Sequence, residues 1–323
     1  MSITTADTSN GGLTWEFAVF VHLVDGTFEL FRYHHAPNNE DPRKGAVRGV
    51  LRSMVWLLER GGPGSGVAAT HVGVATDHVI ESFRNALWPT YKSGEGLPPE
   101  LTGQFHPLEE ALRALGVVVW AMTELEADDA LATAAAQAAA DPRVTQVVIA
   151  TPDKDLGQCV VGDRVVQWDR IRNTVRDADG VIAKAGVPPV SIPDWLALVG
   201  DSADGFPGLP GFGAKTAAVL LTRFGHLDHI PDDPAEWGAG IRGAAKLGVT
   251  LRAQRAEALL FRTLATLVED ADLGTTVDDL RWTGPTADFD AVCADYDLDD
   301  LPDRVAALAS AGSATGAAAD VAL

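Results

Sequence analysis

Cysteine, long apolar runs and positive charge are what this chain has least of. Its 323 residues include two cysteines, Cys159 and Cys293. They lie far apart and have no second pair, which excludes a disulfide framework and a cysteine zinc site and leaves two small buried apolar side chains. No apolar run approaches the ~20 residues of a membrane span. The N-terminal string MSITTADTSNGG lacks the basic and apolar regions of a signal peptide, so a cytoplasmic protein is expected. Among the histidines, His34-His35 and His226 with His229 have no partner motif, which argues against zinc. Lys and Arg number 25 against 45 Asp and Glu, a net charge of −20. Taken alone, that balance disfavours a nucleic-acid partner, because phosphates repel carboxylates.

What is present qualifies this. Apolar residues make up 46% of the chain, enough for a sizeable core in one large or two modest domains. The charge is also uneven. Residues 265–323 hold 13 acids and 2 bases, whereas Ile241 to Leu264 holds Arg242, Lys246, Arg252, Arg255 and Arg262 against Glu257 alone. The chain is polarised rather than uniformly acidic.

Trp15 to Val24, Ala69 to Thr76, Gly116 to Ala121 and Thr145 to Ala150 read as buried strands. Helical stretches at Ala46 to Arg60, Leu108 to Leu115 and Ala127 to Ala140 separate them. Strands that are apolar throughout and alternate with helices predict an α/β fold with a parallel central sheet covered on both faces. After Val187-Pro188-Pro189 the pattern turns helical, with Gly-rich turns, and a subdomain boundary is placed there.

Acids gather where such a sheet opens its ligand crevice, at the carboxyl ends of the strands. Asp25 and Asp77 end the first and second strands, and Asp153 and Asp155 follow the fourth. Glu126, Asp128 and Asp129 open a helix, and Asp201 and Asp204 precede a glycine hairpin. Each has an ordinary reading as a helix-dipole partner or a turn residue. Together, nine carboxylates in one crevice would repel one another unless cations neutralise them, and hard oxygen donors select Mg²⁺ or Mn²⁺. Two such ions about 3.5 to 4 Å apart suit phosphodiester hydrolysis, activating water and stabilising the leaving oxygen.

Val199 to Ala217 runs from a helix through a Gly/Pro hairpin into a second helix. Amides at the start of that helix, with Lys215 and Thr216 in its first turn, suit a grip on backbone phosphate. Between Asp77 and His106 a long segment carries Phe83, Arg84, Trp88, Tyr91 and Lys92, a mixture of aromatics and cations that suits single-stranded nucleic acid.

Several strings in order resemble those of the 5′-nuclease (flap endonuclease) superfamily. They are LVDG from Leu23, ESFRNALWPTYK from Glu81, EADDALAT from Glu126, IATPDKDLGQCV from Ile149 and ALVGDSADGFPGLPGFGAKTAAVLL from Ala197. The nearest pattern is the 5′-nuclease domain of bacterial DNA polymerase I and its stand-alone bacterial counterparts. The resemblance implies a PIN-like nuclease core over residues 14–186, with a helical arch at about 78–105. It implies a helix-hairpin-helix (H3TH) DNA-binding subdomain over 187–264, leaving an acidic segment over 265–309 packed on the core and flexible tails at 1–13 and 310–323.

The same resemblance implies Asp25, Asp77, Glu126 and Asp128 around one metal ion and Asp128, Asp153, Asp155 and Asp204 around another, with Asp129 and Asp201 holding waters or a further ion. It implies two or three Mg²⁺ or Mn²⁺, scissile-phosphate contacts from Arg84 and Lys92, and Tyr91 as a stacking neighbour. Gly208, Gly211 and Gly213 would form a phosphate- and K⁺-binding hairpin, with Arg242 and Lys246 adding to the grip on DNA. The implied partner is DNA with a 5′ flap, a nick or a recessed 5′ end, or an RNA-DNA hybrid, bound by a monomer that cuts endonucleolytically at flaps and exonucleolytically at 5′ ends.

The chain departs from the family pattern at His78-Val79-Ile80-Glu81, where a Lys-Gly pair is usual, at Gly94-Glu95-Gly96, and at Gly205-Phe206, where Asn-Ile or Asn-Leu is common. The length leaves no room for a polymerase or proofreading domain. Two other readings compete. A non-catalytic flap-binding protein would be expected to lack some of the acids. A phosphohydrolase of small esters would have no use for the hairpin or the basic segment.

Overall fold

The structure, a computed structural model, describes residues 19–62 and 68–320, with side chains described to residue 311. The expected tail at 1–13 and residues 15–18 of the first expected strand lie outside these limits. In chain order the regular elements begin with β1 (Val19–Asp25), α1 (Gly26–His34), α2 (Gly45–Arg60), β2 (His71–Asp77), α3 (Arg84–Leu87), α4 (Pro99–Thr102), α5 (Phe105–Ala114) and β3 (Val118–Met122). They continue with α6 (Ala127–Ala140), β4 (Val144–Ala150), β5 (Val165–Asp169), β6 (Thr174–Arg176) and α7 (Ala178–Ala185). The remainder is α8 (Ile192–Val199), α9 (Ala214–Phe224), α10 (Ala244–Ala265), α11 (Phe289–Asp295) and α12 (Leu301–Asp320).

One sheet, ordered β3-β2-β1-β4-β5-β6, is parallel except for β6 at its edge. Its strands are apolar on both faces because both are covered. Val24, Val72, Val74 and Val148 pack toward α2 and α5, while Val21, Leu23, Val147 and Ile149 pack toward α6. The Ala-rich sequence of α6 removes side-chain bulk where the helix lies on the sheet. The strands β5 and β6 were not expected from sequence, since five residues containing Gln167 and Trp168 followed by a three-residue strand carry no clear period.

Helices α8, α9 and α10 form a second apolar cluster around Leu196, Phe206, Leu220, Leu251 and Phe261. α10 is two helices joined at Gln254, whose backbone is non-helical. The acidic C-terminal segment returns to the domain that carries the sheet. Arg281 bridges to His71, the first residue of β2, and Trp282 donates to the Leu115 carbonyl at 2.8 Å. Asp77 ends the same strand, roughly 20 Å away at ~3.3 Å per residue, so the Arg281-Trp282 part of the segment closes the end of the sheet opposite the acids. Its Asp297 and Asp300 pair with Arg48 and Arg52 of α2 at 2.9 and 2.8 Å, and Arg304 pairs with Glu59. α12 runs to Asp320, where a loose tail from residue 310 is expected.

Both cysteines are buried free thiols. Among the described residues, no helix is long and apolar enough to cross a membrane.

Candidate metal centre and nucleic-acid interface

The carboxylates arrive at one place because parallel strands end together. Asp25 is the last residue of β1 and the cap of α1: its Oδ1 accepts from Phe28 N at 2.8 Å and its Oδ2 from Thr151 Oγ1 at 3.0 Å. Asp77, the last residue of β2, accepts from Ala127 N at 2.8 Å, which docks the start of α6 against the strand end. Asp153 accepts from Asp155 N at 3.0 Å in the turn after β4. Asp201 and Asp204 come from the other subdomain, and a carboxylate oxygen of each lies with one of Asp155 within 4.8 Å of one another.

Electrostatics bear the marks of this crowding. Burial, followed by repulsion from Asp77 and Asp153, pushes the Asp25 carboxyl up to about 7. Burial also raises Asp77, with Glu126 adding to the shift. Burial and then Asp153 raise Asp128 and Asp155 well above the usual carboxylate range, and burial lifts Asp204 to about 6. Glu126 moves the other way: burial opposes its charge, but Lys92 and Arg84 outweigh burial and hold the carboxyl low.

Two lysines lie among the acids. Lys92 Nζ is 2.7 Å from Glu126 Oε2 and 3.7 Å from Asp204 Oδ1. Lys154 pairs with Asp201 and lies 3.7 Å from Asp155 Oδ1.

The donor set fits hard divalent cations. It is all oxygen, the acids repel one another, and Asp155 Oδ1 is buried with no hydrogen-bond partner. Raised carboxyls make the metal-free fold bind more protons than the unfolded chain. Their contribution to stability is therefore complete below the unfolded values near 4 and is lost as pH rises through about 6 to 7. Divalent ions held by these acids would reverse that loss. The rise in melting temperature on adding Mg²⁺ is expected to be larger at pH 8 than at pH 5.5 when followed by differential scanning fluorimetry. An equal rise at both would contradict this assignment.

The hairpin from Val199 to Gly213 is closed by paired bonds between Asp201 and Phe206, N to O at 2.8 and 3.0 Å. Gly208 sits at φ +66, and a Cβ there would lie 2.3 Å from Gly200 N. Gly211 has φ +90, and Gly213 is the cap residue of α9. Lys215, Arg242 and Lys246 are exposed and Thr216 half-buried. Of the basic segment, Arg255 and Arg262 are spent on Asp232 and Asp228, and Arg252 on the Asp232 carbonyl. Gly205, where Asn is common in the family pattern, also has a reason. Trp88 Nε1 and Thr90 Oγ1 both donate to its carbonyl, and a Cβ would lie 1.9 Å from Thr90 O.

Three sequence expectations meet a different geometry. Arg84, expected at the scissile phosphate, is fully buried, with its guanidinium spread over Asp129 and two backbone carbonyls. Asp129, expected to hold waters or an ion, is fully buried, and both its oxygens already accept bonds from Arg84, Glu126 N and Val268 N. Tyr91, expected as a stacking neighbour, is 5% exposed and donates from its hydroxyl to Glu126 Oε2 at 3.3 Å.

The reason is common to all three. The span expected as an arch holds only the four-residue helices α3 and α4, and its middle lies down on the hairpin at Gly205 and on Phe261. His78 turns to Glu109 at 2.9 Å and stacks on His106.

Sequence reasoning assigned no role to Lys154 or Thr151. The first stands between two of the quoted acids, and that position was its only signal.

Two family models match the chain: the 5′-3′ exonuclease N-terminal resolvase-like domain over residues 20–186, and the 5′-3′ exonuclease C-terminal SAM fold over residues 187–288. The chain belongs to the 5′-3′ exonuclease family. Within that family, the 5′-3′ exonuclease of Buchnera aphidicola is 30% identical over 269 residues, covering 81% of this chain and 86% of the relative. DNA polymerase I of Pseudomonas aeruginosa is 38% identical over 271 residues, 80% of this chain. The chain spans 28% of that polymerase's length, and the same share of its Mycobacterium leprae counterpart.

Solved structures share the fold. T5 5′-exonuclease with bound zinc superposes with a TM-score of 0.61 at 19% identity, covering 86% of this chain and 98% of that one. The catalytic core of Rad2 in complex with DNA substrate gives 0.58 at 16% identity, covering 88% and 91%.

Proposed function

We propose that this member of the 5′-3′ exonuclease family is a structure-specific, divalent-metal-dependent nuclease. It cuts DNA at 5′ flaps endonucleolytically and at recessed 5′ ends exonucleolytically, the chemistry needed for primer removal and repair. The observation that carries the reading is the convergence of Asp25, Asp77, Asp128, Asp153, Asp155 and Asp204, mutually repelling and with Asp25, Asp77 and Asp155 buried, at the carboxyl ends of β1, β2 and β4. Two or three Mg²⁺ or Mn²⁺ held by Asp25, Asp77, Glu126 and Asp128 on one side and Asp128, Asp153, Asp155 and Asp204 on the other would supply charge stabilisation for in-line displacement at phosphorus.

The chain's own groups do the rest. Lys92, anchored on Glu126 at 2.7 Å, would offset the charge that develops on the scissile phosphate. Lys154 orients Asp201 and offsets charge at Asp155. Amides at Gly211 and Gly213, a K⁺ at the hairpin, Lys215 and Thr216 hold the backbone of the duplex, and Arg242 and Lys246 extend that line of charge. The reading describes a cytoplasmic monomer acting on flap, nicked or hybrid ends. Incubation with an end-labelled 5′-flap duplex is expected to release the flap with Mg²⁺ or Mn²⁺ and not with EDTA. Absence of product with either metal would sink the proposal, and product mapping on flap, nicked and RNA-DNA substrates ranks the preferences.

A further inference from the structure

Arg84 is heavily engaged beside the metal centre, and all of its partners belong to the protein itself. A guanidinium has five N–H groups. Here Nε donates to Leu264 O at 2.8 Å, Nη1 to Asp129 Oδ2 at 2.7 Å, and Nη2 to Asp129 Oδ1 at 2.7 Å and Thr266 O at 3.1 Å. Nη1 also stands 3.1 Å from Glu126 Oε1. No donor is left over for a phosphate.

The acceptors come from two places. Asp129 and Glu126 belong to the start of α6, in the nuclease core. Leu264 and Thr266 are the last turn of α10 and the residue after it, in the helix-hairpin-helix half. Asp129 completes the joint by accepting from Glu126 N and from Val268 N, both at 3.0 Å. Gln158 laces the same connector, donating to Ala265 O and accepting from Leu267 N, both at 3.0 Å.

We propose that Arg84 is a positioning residue: paired with Asp129 and clamped on the carbonyls of Leu264 and Thr266, it fixes Glu126 at the metal centre and ties that centre to the end of α10. The geometry makes the hold on metal depend on how the DNA-gripping half is docked. If α10 shifts, the Leu264 and Thr266 carbonyls move, the Arg84 fork tilts, and Glu126 Oε1 is left with Ser82 Oγ, which donates to it at 2.6 Å, and without the guanidinium at 3.1 Å. Groups that orient a metal ligand typically change metal affinity by about 10- to 100-fold when removed. The inference rests on the metal reading of the acids proposed above.

Its test is Mn²⁺ binding to the DNA-free protein, followed by electron paramagnetic resonance. Removing Arg84 alone strands the buried charge of Asp129, so the variant to use is the double replacement Arg84→Met/Asp129→Leu, which removes both charges together. The expected result is Mn²⁺ binding weakened about tenfold, with a melting temperature lowered because Glu126 N and Val268 N lose the Asp129 carboxylate, and Arg84→Lys, which keeps charge and Asp129 but loses the fork, weakened likewise. Limited proteolysis of the double variant is expected to cut first in the 264–268 connector.

Unchanged Mn²⁺ affinity in a folded double variant overturns the clamp. So does a pattern in which Arg84→Lys raises the KM for DNA and leaves metal binding alone, because that marks a phosphate contact. If the wild-type protein binds no Mn²⁺ and cuts no flap, the proposed function fails and the clamp with it.

Discussion

Asp155→Asn is expected to lower flap cleavage at saturating Mg²⁺ by ~10³-fold, equivalent to about 4 kcal/mol of lost transition-state stabilisation. Asp155 belongs to the Asp155, Asp201 and Asp204 triangle, and its Oδ1 is a buried carboxylate oxygen with no hydrogen-bond partner. An amide at this position presents donors toward Asp201 and Asp204 and removes a negative charge from the pair with Asp153, so cation affinity at that side falls.

The same change is expected to move metal-free stability the other way. Burial, and then Asp153, Asp204 and Asp201, set the strain that raises the Asp155 carboxyl, and deleting one charge relieves it at pH 8. A single-turnover assay and a thermal melt in EDTA read the two effects. A variant that loses activity and stability together would mark Asp155 as a structural residue instead.

Lys92→Met is expected to slow cleavage by ~10²- to 10³-fold, the usual cost of removing a donor aimed at developing charge. The variant leaves Glu126 and Asp204 without the ammonium now 2.7 and 3.7 Å away, so the centre becomes more negative and Mn²⁺ binding is expected to tighten or hold steady. Slower chemistry with undiminished metal binding is a combination a folding defect does not produce. Recovery of the wild-type rate by raising the metal concentration would show that Lys92 acts only through metal occupancy.

Much of the site was legible in sequence because a parallel sheet writes itself plainly. Strands covered on both faces are apolar throughout, so the break to Asp25 after Val24, or to Asp77 after Thr76, marks where the sheet ends and the crevice of acids begins. The hairpin was equally readable, since Gly208 and Gly211 need positive φ and α9 needs an open first turn.

Arg84 was misread because its residue type and motif position suit a phosphate, while its actual partners are 45 residues away at Asp129 and 180 residues away at Leu264. Tyr91 was misread likewise: an aromatic beside a lysine suits stacking until the segment carrying it lies down on Gly205. The arginines of α2 show the same limit. Arg48 and Arg52 could serve a nucleic acid on composition alone, yet Asp297 and Asp300 occupy them.

The sequence by itself determined the alternation of strands and helices, the acids at the strand ends and the glycine hairpin, because each depends on a residue's own preferences and those of its chain neighbours. Tertiary structure alone decided which charges remain available. A net charge of −20 is a sum over the chain. Whether a given carboxylate or guanidinium faces a cation, a phosphate or another side chain depends on segments far apart in sequence meeting in a low-dielectric interior, where an unpaired charge is costly and nearly every one finds a partner.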